Sequence, residues 1–167
     1  MKKKKNNDFK IGEIVVYPKH GVGEIKKIES MEIGSIKTRF YLVQMEQAKL
    51  MIRVPLDKQN EVGLRKIASK KILDDVFSTL KLKPKIRRIM WSRRAQEYET
   101  KIYSGDPIKI SEVVRDLYRK SSQAEQSYSE RQMFQVAIER LAREVAAVEK
   151  TDYFQSTEKI EQILSKK

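Results

Sequence analysis

The chain has no cysteine, one histidine and one tryptophan in 167 residues. Without cysteine there is neither a disulfide framework nor a thiolate metal site. The lone His20 lies in Pro18-Lys19-His20-Gly21, a turn sequence with no partner for nucleophile–base chemistry, and reads as structural. Asp74-Asp75 is the densest acidic pair and sits on a helix surface, too few carboxylates for a metal site. Gly21-Val22-Gly23 lacks the further glycine and the helix of a phosphate-binding loop, and reads as a bend between strands. No apolar run approaches the length of a membrane span. The basic start Met1–Lys5 is not followed by the apolar stretch of a secretory signal. These absences lead to the expectation of a soluble cytoplasmic protein that is not an enzyme, with no cofactor, no metal, no small-molecule substrate and no membrane partner.

What is present is positive charge, unevenly spread. The net charge is +13. Residues 1–60 carry 13 basic and 7 acidic groups, with four of the basic ones in the Lys2–Lys5 tail. Residues 61–101 carry 12 and 5, and residues 102–167 carry 11 of each. A basic excess concentrated in the tail and the middle of the chain suits a polyanion, because each neutralised phosphate releases counterions. The alternative is a solvated lysine-rich surface.

The texture changes once along the chain. From Phe9 to Pro55 the signals are those of short strands: Ile14–Tyr17, Glu24–Glu29, Ile36–Met45 and Leu50–Val54. Short connections between them predict a small antiparallel barrel. After Gly63 helical periods take over. Ile72, Leu73, Val76, Phe77 and Leu80 share a face, and Pro84 ends that helix. A second helix runs from about Trp91 to Tyr103. Gly105-Asp106-Pro107 reads as end cap, N-cap and first helical residue. Ser129 with Gln132 is a candidate capping box for a long helix through Val148, and a last helix holds Ile160, Ile163 and Leu164. The expected organisation is α+β: a basic tail at 1–7, a β domain at 8–60 and an all-α helical bundle at 66–167.

The most informative stretch is Lys81 to Arg94, with seven basic residues, no acidic one, and Trp91 inside it. If it is helical throughout, Trp91 has Arg87, Arg88, Arg94 and Ala95 one turn away. If the helix begins near Trp91, the ring sits at an N-terminus beside Arg93 and Arg94. Two readings of the ring stand open. Trp91, Ala95, Tyr98 and Ile102 have the spacing of a core stripe. The arginine collar instead suits nucleic acid, with cations holding phosphates and an apolar ring wedged at a base step.

Phe9-Lys10-Ile11-Gly12-Glu13-Ile14-Val15-Val16-Tyr17-Pro18-Lys19-His20-Gly21 resembles the opening of CarD (CdnL) family transcription regulators, F-x-x-G-x-x-V-V-Y-P-x-H-G. Arg53-Val54-Pro55, Trp91-Ser92-Arg93-Arg94, Ser104-Gly105-Asp106 and Glu112-Val113-Val114-Arg115-Asp116-Leu117 resemble further family motifs, in order along nearly the whole chain. The resemblance implies a Tudor-like first domain, shared with transcription-repair coupling factor, that docks on the RNA polymerase β subunit. It implies a helical second domain on promoter double-stranded DNA upstream of the −10 element, where a tryptophan wedges into the minor groove and stabilises the open complex. Trp91 matches that tryptophan, and Arg93 and Arg94 match the arginines beside it. Arg87 and Arg88 join them as DNA-binding candidates in the basic run. Lys120 and Arg131 fall where relatives carry DNA-facing cations. Arg53 matches a polymerase-binding arginine, with Met31 and Ile33 on the strand that faces polymerase in relatives. Gln96 departs from a basic residue found in relatives, and the Met31–Ile33 strand lacks an arginine that some relatives use.

The resulting expectation is a nucleoid-associated transcription regulator. Two other classes remain beside it: a protein-interaction module with no DNA role, and a sequence-independent nucleic-acid binder.

Overall fold

A computed structural model describes residues 8–47, 49–120 and 122–166. The Lys2–Lys5 tail lies outside them. The chain divides after Ile67 into two compact units.

The first unit is built on five strands: β1 (Ile14–Tyr17), β2 (Gly21–Ile33), β3 (Ile36–Met45), β4 (Met51–Pro55) and β5 (Arg65–Lys66). A 3₁₀ turn (Leu56–Lys58) and a one-turn helix, α1 (Gln59–Val62), connect β4 to β5. All pairings are antiparallel, in the order β4-β3-β2-β1-β5. This corrects the expected Tudor-like barrel: the sheet is open. Closure would require β4 to pair with β5, but each pairs on one side only. A two-residue β5 offers too short a ladder to close a cylinder.

Gly21-Val22-Gly23 is also not the expected bend. The reversal is the preceding turn, closed by the His20 N–H donating to the Tyr17 carbonyl at 2.9 Å. Gly21–Gly23 already pair with β1. Gly23 is required there by close packing, since a Cβ would lie 2.8 Å from Val43 Cγ1 and 2.9 Å from the Gln44 carbonyl. One face of the sheet buries Val15, Ile25, Tyr41, Val43, Met45 and Val54, with Phe9 and Leu64 closing the core. Phe9 meets Tyr41 edge-on, ring centroids 5.6 Å apart, and its N–H donates to the Tyr41 hydroxyl.

The second unit holds five helices: α2 (Lys70–Lys81), α3 (Trp91–Tyr103), α4 (Pro107–Leu117), α5 (Tyr128–Glu149) and α6 (Tyr153–Ser165). α4 packs against α2, α3 and α5, and α6 packs against α5 and α2. The helix starts are written in side chains. Ser69, Asp106, Ser127 and Asp152 each accept a backbone N–H of the following turn, and Asp152 with Gln155 completes a capping box. The expected Ser129–Gln132 box does not start α5: the N-cap lies two residues earlier, where Ser127 Oγ accepts the Glu130 N–H. Gly105, at φ +71°, and Pro107 stand as read from the sequence. α3 is the exception, since Met90 precedes it without any side-chain cap.

Candidate nucleic-acid interface

Pro84 has no N–H and disfavours a helical residue before it, so α2 stops at Lys81 and the chain runs irregularly to Met90. This basic connection is pinned from below. The Lys85 N–H donates to Asp116 Oδ1 at 2.9 Å, and Arg115 Nε donates to the same oxygen at 2.8 Å. The Arg115 and Asp116 side chains are only 5% and 6% exposed. An exposed pair, Arg87 to Glu97 at 2.6 Å, ties the outer part of the connection to α3. Between the connection, α3 and α4 lies a hollow of about 380 Å³. Of its five lining cations, Arg87, Lys101 and Arg115 are each paired with a carboxylate, while Lys85 and Arg94 make no ion pair among the described residues.

Helix α3 therefore begins at Trp91, the second of the two geometries the sequence allowed. The ring is half-buried against the edge of the helical core. It lies 6.2 Å from the Tyr98 ring, and the Arg94 guanidinium carbon sits 5.4 Å from its centroid. Met90 beside it is 74% exposed. The spacing read as a core stripe holds only at its far end, where Tyr98 and Ile102 are buried while Trp91 and Ala95 are half-buried. Arg88 and Arg93 are exposed and make no ion pair among the described residues. The first turn of α3 has no acidic residue. Its N-terminal dipole end therefore carries cations instead of the carboxylates that would stabilise it, an unfavourable local arrangement that an external anion relieves.

The other two DNA-facing candidates stand apart in the fold. Lys120 is half-buried in the α4–α5 connection, where its backbone N–H donates to Gln123 Oε1. Arg131 is exposed in the first turns of α5. Those turns border a shallow apolar hollow with Glu99, Ile102 and Tyr103 of α3. Eight residues of helix separate Glu99 from Trp91, about 12 Å along the axis. Deeper in α5, Arg140 lies over the Tyr103 ring at 5.1 Å, and burial pulls its pKa below the usual arginine value, with Tyr103 opposing.

In the first unit, strand register puts Glu29, Met31 and Ile33 on the same sheet face as Phe40, Leu42 and Arg53. Arg53 Nε lies 3.6 Å from Glu29 Oε2. β4 pairs only with residues 40–44 of β3, so Met31, Ile33 and Ile36 project past it and are exposed. Arg53 and Met31 share a face but are offset by four residues along β3, about 13 Å.

Residues 9–68 match the family model described as CarD-like/TRCF RID domain, and residues 75–161 match the one described as CarD, C-terminal domain. This chain belongs to the CarD family of transcription regulators. It is 29% identical over 140 residues to a Bacillus subtilis (strain 168) protein named "Putative transcription factor YdeB", covering 84% of this chain and 92% of that one. CarD-family regulators are non-catalytic, so the hollows described in the helical unit are not active sites. Among the described residues no group of His, Asp and Glu could hold a metal ion, and no helix is long and apolar enough to cross a membrane.

Three participants in this CarD-family surface escaped the sequence reading. Asp116 pins the basic connection, Glu97 holds Arg87, and Tyr98 accepts a hydrogen bond from Arg94 at 3.2 Å. A signal existed for the first: Arg115-Asp116 interrupts the otherwise apolar end of α4, and buried charges of that kind occur paired.

Proposed function

We propose that this protein binds the RNA polymerase β subunit through the sheet face bearing Arg53, Met31 and Ile33. In the same reading, the Trp91 end of the helical unit binds promoter double-stranded DNA upstream of the −10 element and prolongs the open complex. The observation that carries the reading is the half-seated Trp91 ring at the uncapped, cation-rich start of α3. A ring anchored along one edge and free along another can enter an opened base step, while Arg88 and Arg93 hold the flanking phosphates. Arg87, Lys120 and Arg131 extend the phosphate contacts. Phosphate contacts are made to closed and melted DNA alike. The wedge favours the melted state, and only such a difference shifts the equilibrium. A protein of this kind works on the nucleoid in the cytoplasm.

The test is the lifetime of polymerase–promoter open complexes with wild-type protein, Trp91→Ala and Arg53→Glu. Trp91→Ala is expected to shorten the lifetime while sparing most duplex binding. Arg53→Glu is expected to weaken polymerase binding and leave binding to free DNA intact. Equal lifetimes for wild type and Trp91→Ala would leave a protein-interaction module as the better account.

A further inference from the structure

We infer that Arg94 is a positioning residue for Trp91 and not a phosphate ligand. The inference rests on the wedge reading for its consequence, but its geometry stands apart from it. Trp91, Arg94 and Tyr98 are spaced i, i+3 and i+7, so they share one face of α3. The guanidinium carbon of Arg94 is 5.4 Å from the Trp91 centroid and 5.7 Å from the Tyr98 centroid, within cation–π range of both rings. Nη2 donates to the Tyr98 hydroxyl at 3.2 Å. Nε is buried without a hydrogen-bond partner.

Arginine grips a phosphate best with two parallel N–H groups. One such fork needs Nε, which is covered here. The other uses both terminal nitrogens, and Nη2 already gives one of its two N–H groups to Tyr98. Between the rings Arg94 lacks the fork through Nε and has its terminal nitrogens partly committed, whereas Arg93, one residue earlier, is exposed and makes no ion pair among the described residues. The planar cation instead holds the indole in one orientation against Tyr98. The ring then needs less ordering when it meets an opened step. A lysine in this place keeps the charge but loses the plane and the bond to Tyr98.

The experiment compares full-length Arg94→Met, Arg94→Lys, Arg93→Met and Trp91→Ala with wild type. Three quantities are measured: the salt dependence of duplex promoter binding, open-complex lifetime and, in the proteins that keep the ring, acrylamide quenching of Trp91 fluorescence. The chain has one tryptophan, so the emission reports this ring alone. Both Arg94 variants are expected to make Trp91 more quenchable and to shorten the lifetime by about two- to five-fold, the range of an exposed cation–π contact. Arg94→Met is expected to leave the salt slope unchanged, whereas Arg93→Met lowers it by about one. A drop of about one in the slope for Arg94→Met, or wild-type quenching in both Arg94 variants, overturns the assignment. So does wild-type lifetime in Arg94→Lys where Trp91→Ala shortens it. If Trp91→Ala itself leaves the lifetime unchanged, the wedge reading fails, and quenching and slope still decide the role of Arg94.

Discussion

Helices α3 and α4 are close in length and opposite in surroundings. α4 starts with an aspartate cap and a proline, and almost every residue of its second half is buried, including an ion pair. α3 starts without a side-chain cap, has cations in its first turn, and buries only Tyr98 and Ile102. The buried arginine of α4 has its carboxylate, and the exposed Arg93 in the first turn of α3 makes no ion pair among the described residues. Of the two helices, α4 is the more deeply buried. The groups left uncompensated at the tip of α3 are those an anionic partner would complete.

The sharpest way to break this comparison is to remove the carboxylate beneath the basic connection. Asp116→Ala leaves Arg115 buried without its partner and frees the Lys85 N–H. Loss of one member of a buried pair costs about 3–5 kcal/mol. Urea unfolding is expected to show a loss of that size. A loss under about 1 kcal/mol would mean that α4 does not anchor the unit. Trp91→Ala comes next and acts in the other currency. Stacking of a base on an aromatic ring is worth about 1–3 kcal/mol, so open-complex lifetime is expected to fall about five-fold or more. Its cost in stability should stay well below that of Asp116→Ala, because the ring is only half-buried. Asp106→Ala removes the α4 cap and is expected to cost about 1 kcal/mol with duplex binding unchanged. Weakened DNA binding in this variant would show that the two helices are not separable in role.

The sequence was most legible where a local rule suffices. Gly105-Asp106-Pro107 needs only its own backbone to end one helix and start the next, and it does so as read. Strand positions were readable from β-branched and aromatic runs, but closure was not. Whether β4 meets β5 depends on the length of a two-residue strand that begins ten residues after β4 ends, which no local pattern encodes. The α5 start was ambiguous because Ser127-x-x-Glu130 and Ser129-x-x-Gln132 both fit the capping pattern, and only the fold selects the first. Within the candidate interface, Trp91 stood out by its neighbours in sequence. Asp116 lies 31 residues from Lys85 and could be linked to it only by packing. The Arg94–Tyr98 contact lay within reach of i, i+4 reasoning, but an arginine beside a tryptophan in a basic run points first to phosphate.

The smallest expected effect tests the comparison most finely. Met90→Asp gives α3 the cap it lacks. Met90 already has the extended backbone of an N-cap, at φ −57° and ψ 142°, and its side chain is exposed, so aspartate fits without displacing packing. A carboxylate there accepts a first-turn N–H and meets the positive end of the helix dipole, each favourable. Urea unfolding is expected to show a gain of about 0.5–1 kcal/mol. The same carboxylate places a negative charge beside Trp91 and Arg93, where the proposed phosphate contact forms, so duplex affinity should fall and its salt slope flatten. A more stable protein that binds DNA less well would mean that α3 is left uncapped in favour of its partner. A gain in stability with unchanged DNA affinity would move the phosphate contact away from the start of α3.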